Sequence, residues 1–219
     1  MNIIERLYRS KLGRGMSFVA RVVARVQRPF MVYGYLDRSS RQFQKFTRIG
    51  STVTILCPEK LSIANHVWVW HHSILDASEG LEINEGVQIG AFVGIFTHGS
   101  DSSIRLLGRS FVDIPHEERL GYTRGSVKIG RYSFIGTGSV VLPGVTIGEG
   151  CVIGPGTIVS KSIPNYSFAF GRPGHVVHGS TIDFDVQHFS RHDYSESYYN
   201  PSGLELIKSK LHALESAQH

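Results

Sequence analysis

His98 is the residue best placed for proton-transfer chemistry. It closes the run Phe96-Thr97-His98 where a regular repeat breaks off into a polar excursion over residues 97–126 that carries Pro115-His116-Glu117-Glu118. Imidazole titrates near neutrality and is the side chain best suited to take a proton from an attacking hydroxyl. A long insertion into a regular architecture is usually functional, and a residue at its root is held still by the rigid part. The plainer alternative is a loop histidine making a surface hydrogen bond. Thiol chemistry has less to recommend it. Cys57 and Cys151 stand 94 residues apart with no Cys-x-x-Cys spacing, which excludes a disulfide scaffold and a thiolate zinc site and fits a reducing compartment.

The elements that must hold His98 are read from a period of six. Ile or Val recurs at Ile129, Ile135, Val141, Ile147, Ile153 and Val159. Two positions before each stands a small or β-branched residue: Val127, Ser133, Ser139, Val145, Cys151 and Thr157. Upstream the period continues with two-residue slips through Ile49, Ile55, Ile63, Val69, Leu75, Ile83, Ile89 and Ile95. A helix needs a period of 3.6, whereas six is a multiple of the strand period of two. Each hexad therefore reads as a short strand and a corner, with the aliphatic and the small residue pointing to one side. Short strands stacked at a constant period describe a solenoid, here an all-β parallel β-helix with three hexads per coil. Fourteen hexads make between four and five coils, roughly 22 Å of stack at about 4.8 Å per strand spacing.

The 219 residues are 41% hydrophobic and 19% charged, an ordinary globular balance. The net charge of +5 conceals an asymmetry. Residues 1–48 hold eleven Lys and Arg against Glu5 and Asp37, giving +9, and the remainder carries −4. No apolar run reaches 18 residues, so no membrane span is expected, and Arg21, Arg25 and Arg28 interrupt the apolar stretch near the start, unlike a secretory signal. No nucleic-acid partner is expected.

Residues 1–48 read as a basic helical N-terminal cap, with stripes Ile3-Ile4-Leu7-Tyr8-Leu12 and Val19-Val22-Val23-Val26. Within it, residues 1–30 have two readings: a cover for the open end of the solenoid, which is favoured, and an amphipathic contact to an anionic membrane surface. Residues 49–177 are the β-helix domain, and 178–219 form a C-terminal extension. In the extension Ser202 to Ala217 reads as a helix opened by a capping box of Ser202 and Glu205.

The segments Val127-Lys-Ile-Gly130, Gly144-Val-Thr-Ile-Gly148, Val152-Ile-Gly-Pro-Gly156 and Pro164-Asn-Tyr-Ser167 resemble the hexapeptide-repeat acyltransferases. Within that superfamily the chain is most similar to the O-acetyltransferases of sugars and surface polysaccharides, over residues 49–177. The resemblance implies a left-handed coil and a homotrimer with active sites in the clefts between subunits. It also implies direct transfer of an acetyl group from acetyl-CoA to a hydroxyl of a sugar or polysaccharide, in the cytoplasm or at the inner face of the membrane, without a metal.

Carried over residue by residue, the resemblance makes His98 the general base. It gives the coenzyme A side to Phe134, where the family more often has Trp, and to Gly136, Thr137, Pro155, Gly156, Ser160, Lys161, Arg172 and His175. The backbone N–H of Thr137 would face the thioester carbonyl, and Lys161 and Arg172 the phosphates. His71, where the family has Asn, is an acceptor-side candidate together with Asp76 and His116.

Other readings stay open. An N-acyltransferase acting on an amino-sugar nucleotide or an antibiotic acetyltransferase would use the same base and donor. A zinc-dependent hydratase of the carbonic-anhydrase type would need histidines that the segment Ile129–Gly138 lacks. A non-catalytic scaffold is the remaining alternative.

Overall fold

The period of six becomes three faces. In the computed structural model, which describes residues 28–190, 195, 198 and 200–216, strands that after Gly50 are two or three residues long alternate with tight corners, and the chain visits three parallel sheets in rotation. The first face stacks Phe43–Gly50, Trp68–Val69, Gln88–Ile89, Phe134–Ile135, Val152–Ile153 and Phe168–Phe170. The second stacks Thr54–Leu56, Ile74–Asp76, Gly94–Ile95, Val140–Val141 and Ile158–Val159. The third stacks Leu61–Ile63, Leu81–Ile83, Val127–Ile129 and Thr146–Ile147, continued by a bridge from Ile147 to Ile163. Like residues fall in register: Ile49, Val69, Ile89, Ile135, Ile153 and Ala169 form one inward column.

Burial follows the parity of the repeat. The six aliphatics from Ile129 to Val159 are buried, as are the six small residues two positions before them. Each such aliphatic contributes about 2 kcal/mol by leaving water. Upstream, Ile55 is only partly buried, at the outermost coil of the second face.

The polar members of the small column are satisfied by the coil beside them. Ser133 Oγ donates to the Gly148 carbonyl (2.7 Å) and accepts from Cys151 N–H (3.0 Å). Ser139 Oγ likewise donates to Gly154 O and accepts from Thr157 N–H, and Ser73 Oγ donates to Gly90 O and accepts from Val93 N–H. A hydroxyl tied on both sides can be buried without an unpaired polar group.

At the N-terminal side the structure corrects the helical expectation for part of residues 1–48. Met31–Leu36 is a strand antiparallel to Phe43–Gly50, joined by a turn that Asp37 organises. Its buried carboxylate accepts from Ser39 N–H and Oγ–H, from Ser40 N–H and, across the coil, from Ile63 N–H. In the second strand Gln44 and Thr47 point inward while Phe43 and Phe46 are exposed. The helical stripes of residues 1–26 lie outside the described residues. Contacts divide the chain after Phe30, and the coil belongs to residues 31 onward.

The excursion is ordered. It contains helix α1 (Asp101–Leu107), two 3-10 turns (Gly108–Val112 and His116–Glu118), and a return strand Thr123–Arg124 antiparallel to His98–Gly99.

At the other end, Phe168–Phe170 turns back into His175–Val177, an antiparallel pair. Helices α2 (Ser180–Phe189) and α3 (Pro201–Ser216) follow and bury Ile182, Val186 and Ile207 against Tyr166 and Tyr198. The cap of α3 is Asn200, not Ser202: its Oδ1 accepts from Ser202 N–H, and its Nδ2 donates to Glu149 and to the Tyr166 hydroxyl. One side chain thus starts the helix and ties it to the coil. Among the described residues no helix is long and apolar enough to cross a membrane.

Candidate active site

The corner between the second and third faces carries the densest polar chemistry. Strand Ile74–Asp76 delivers Asp76 there, and one coil on, Gly94–Ile95 delivers Phe96-Thr97-His98. Asp76 has no exposed surface. Its Oδ1 accepts from Ser78 N–H (3.0 Å) and Ser78 Oγ–H (2.6 Å), and its Oδ2 from Thr97 N–H (2.9 Å) and Thr97 Oγ–H (3.1 Å). His98 Nδ1 lies 2.8 Å from Oδ2. Nδ1 is itself buried, so the two groups meet out of solvent. Burial alone would raise the Asp76 pKa, but the bonds from Ser78 and Thr97, reinforced by His98, overcome it and hold the carboxyl below its ordinary value. Asp76 is therefore a charged, fixed group behind a histidine whose side chain is one third exposed.

The returning end of the excursion packs on the other side of that ring. Tyr122 stacks on His98 at 5.7 Å with planes 7° apart, and His116 meets both rings edge-on, 6.3 Å from His98 and 4.5 Å from Tyr122. Arg124 lies 4.7 Å from the Tyr122 ring centre, donates to the His116 carbonyl and pairs with Glu79 at 3.5 Å. Glu79 N–H in turn donates to Thr97 Oγ, so excursion and coil are knitted at the histidine. Burial pushes the Tyr122 hydroxyl above its ordinary value, with Arg119 and Arg124 opposing.

The structure corrects the expectation for Asp76. Buried beneath His98, it has no surface that an acceptor could meet from solvent, and its Oδ2 lies against His98 Nδ1 instead. His116 is brought to His98, as an acceptor-side residue would need. His71 is not: it stands at the corner between the first and second faces, 3.3 Å from Thr52 Oγ and edge-on to Trp70.

The residues expected on the donor side fall into two groups. Phe134, 41% exposed on the first face, leads into Gly136 and Thr137 at the first–second corner, and Pro155 and Gly156 sit one coil further on. Arg172 Nε donates to Gly156 O at 2.7 Å, and His175 is 6.1 Å from the Phe170 ring. A cleft of about 270 Å³ lined by Trp68, Trp70, Gln88, Phe134 and Thr137 opens on this side. Ser160 and Lys161 instead follow Ile158–Val159, at the corner of His98 and two coils beyond it. Within one chain His98 and the Phe134–Thr137 cleft are on different corners of the coil.

Tyr122, Arg124, Thr97 and Ser78 were not singled out from the sequence. The available signal was position: Tyr122 and Arg124 stand just before the repeat resumes at Val127. Among the described residues no three His, Cys, Asp or Glu side chains gather in a way that could hold a metal ion.

Comparison with known proteins agrees with the repeat. The family described as bacterial transferase hexapeptide (six repeats) matches residues 126–161. A probable acetyltransferase of Mycobacterium tuberculosis is 26% identical over 190 residues, covering 83% of this chain and 58% of that protein. A putative acetyltransferase of Staphylococcus aureus is 46% identical over 72 residues, 32% of this chain and 35% of that protein. The chain thus spans little more than half of the first of these relatives and about a third of the second. Among solved structures, a maltose O-acetyltransferase from Clostridium difficile is similar with a TM-score of 0.48 and 26% identity, covering 58% of this chain and 63% of that one.

Proposed function

Because this chain belongs to the hexapeptide-repeat acyltransferase superfamily, we propose that it is an acetyl-CoA-dependent O-acetyltransferase that acts on a hydroxyl of a sugar or surface polysaccharide. The observation that carries the reading is the pair of His98 and Asp76 at the root of the excursion.

Acetyl-CoA, when bound, supplies the acyl group as a thioester. Nδ1 of His98 faces the buried carboxylate, which leaves Nε2 to take the proton of the acceptor hydroxyl as its oxygen attacks the thioester carbon. Asp76 holds the ring and favours the imidazolium that forms. When the C–S bond breaks, the proton passes from the imidazolium to the departing thiolate, and His98 is ready again. The backbone N–H of Thr137 stabilises the developing oxyanion. Cys151, buried and with its thiol pushed up by burial, is unsuited to carry an acyl group.

His98 and Thr137 occupy different corners of one coil, so the reading includes a left-handed, homotrimeric arrangement in which His98 of one subunit faces the Phe134–Thr137 cleft of the next. Lys161, Arg172 and His175 line the donor's route. The reaction belongs to the cytoplasm, where acetyl-CoA is made and used.

The test is thiol release from acetyl-CoA by wild type and His98→Ala across sugars, sugar nucleotides and polysaccharide fragments. An O-linked acetate in the product, with a rate about 10²–10⁴-fold lower in His98→Ala while coenzyme A still binds, is expected. An N-linked acetate would replace the hydroxyl acceptor by an amino sugar. Absence of coenzyme A binding would overturn the transferase.

A further inference from the structure

The corner between the third and first faces has a construction that acyl transfer does not require. Its outermost positions form a column of left-handed residues, His66 (φ 60°), Gly86 (φ 72°), Tyr132 (φ 54°), Gly150 (φ 62°) and Tyr166 (φ 57°). Three of the five are not glycine, so the dihedral alone does not demand glycine at position 86. The neighbouring ring does: a Cβ on Gly86 would stand 2.3 Å from the Tyr132 ring. The missing side chain lets Tyr132 lie along the corner.

One coil to the other side of Gly86, Phe46 and His66 stack at 4.9 Å with planes 9° apart. Between these aromatic walls lies a cleft of about 500 Å³, with Arg48, Trp68, Glu85 and Gln88 also lining it.

The charge in this cleft is lopsided. Arg48 lies over Tyr33 (5.2 Å) and over Trp68 (5.4 Å), and among the described residues it pairs with no carboxylate. Glu85, the acid of the lining, is already held by Arg131 at 3.3 Å. Among the described residues Trp68 Nε1 is buried with no hydrogen-bond partner, an unmade bond at the floor of the cleft. Aromatic faces suit the C–H face of a sugar ring, planar polar side chains such as Gln88 suit its hydroxyls, and an uncompensated guanidinium suits a carboxylate.

We propose that this cleft is a binding site for a carboxylated sugar residue, with the ring packed between Tyr132 and the Phe46–His66 stack and the carboxylate on Arg48. The inference goes beyond the acyl-transfer reading and does not depend on it. The cleft shares Trp68 and Gln88 with the Phe134–Thr137 cleft, so a sugar held here borders the donor side without occupying it.

The test uses the full chain with no acyl donor present, titrated calorimetrically with a hexuronate tetrasaccharide, with sialyllactose and with an uncharged tetrasaccharide. Saturable binding of at least one acidic probe is expected, with at least tenfold weaker or no binding of the neutral one. Arg48→Ala and Tyr132→Ala weaken it tenfold or more, and Tyr132→Phe stays within about threefold. Arg48 is exposed, and Arg48→Lys keeps the charge should Arg48→Ala fold poorly, with binding retained in part. No binding of either acidic probe overturns the proposal. So does equal binding of the neutral one, or loss of binding on Phe134→Ala with Arg48→Ala and Tyr132→Ala unaffected. Because no acyl donor is used, none of these outcomes bears on whether His98 catalyses transfer.

Discussion

Nδ1 of His98 lies 2.8 Å from Oδ2 of Asp76, a carboxylate one coil away with no exposed surface. Ser78 and Thr97 already supply that carboxylate with four hydrogen bonds, so its charge and position are set by the coil before the histidine is added. The histidine then sits between this fixed carboxylate and the Tyr122 ring that the returning excursion stacks on it.

Asp76→Asn keeps the shape but removes the charge and turns an amide toward donors. It is expected to lower kcat by about 10- to 100-fold while leaving KM for both substrates within about twofold, because Asp76 touches neither. Steady-state kinetics checks this. A rise in KM for the acceptor with kcat unchanged would mean that Asp76 acts on binding.

Acid should weaken the fold through two buried carboxylates. Asp37 and Asp76 both sit below their ordinary pKa, since the hydrogen bonds of each outweigh the opposing effect of burial. A lowered folded-state value means that the unfolded chain binds the proton more tightly. The stabilisation is therefore complete above the unfolded value of about 3.9 and is lost as pH falls through the folded ones. Urea midpoints should hold from pH 7 to about 5 and decline below about 4, with a shallower decline in Asp37→Ala. An identical decline in that variant would count against the assignment.

Two glycines two residues apart should respond differently to alanine. A Cβ on Gly136 would stand 2.6 Å from Ile153 O and Pro155 N, backbone atoms of the next coil that move only if the stack opens. Gly136→Ala should cost about 3 kcal/mol. Gly138, at φ 72°, has open space around it, and alanine there meets only the left-handed penalty of about 1 to 2 kcal/mol. Denaturant midpoints of the two variants, measured side by side, decide it.

The two thiols should also separate. Cys57 is half-buried, whereas Cys151 is fully buried, with its Sγ 3.1 Å from the Pro164 carbonyl. A thiol reagent should modify Cys57 alone in the folded protein and both residues in denaturant. Activity should survive that single modification, and its loss would reopen a role for Cys57.

The coil was legible in the sequence because one physical rule, inward burial at every second position, repeats at a fixed interval. Ile129 to Val159 and the small residues before them needed no other information. Asp76 defeated the same rule. It follows the inward Leu75 and parity turns it outward, yet Ser78, two residues on, and Thr97, one coil and 21 residues away, close over it. The strand Phe43–Gly50 was missed because its inward residues include Gln44 and Thr47 and its outward ones Phe43 and Phe46, so its apolar pattern carries no strand period. Asn200 took the cap from Ser202 because Glu149 and Tyr166, far away in sequence, hold it in place.

The first face reverses direction at both ends, where Met31–Leu36 and His175–Val177 each run antiparallel to the strand they cover. A stack of parallel strands is a template on which a second molecule could continue the ladder, and unprotected stacks of this kind grow into fibres. On this face a newcomer meets strands of the opposite polarity to the stack, so the six parallel rungs cannot be continued in kind. The two terminal hairpins therefore end the parallel run of the sheet that carries Phe134 at both of its edges.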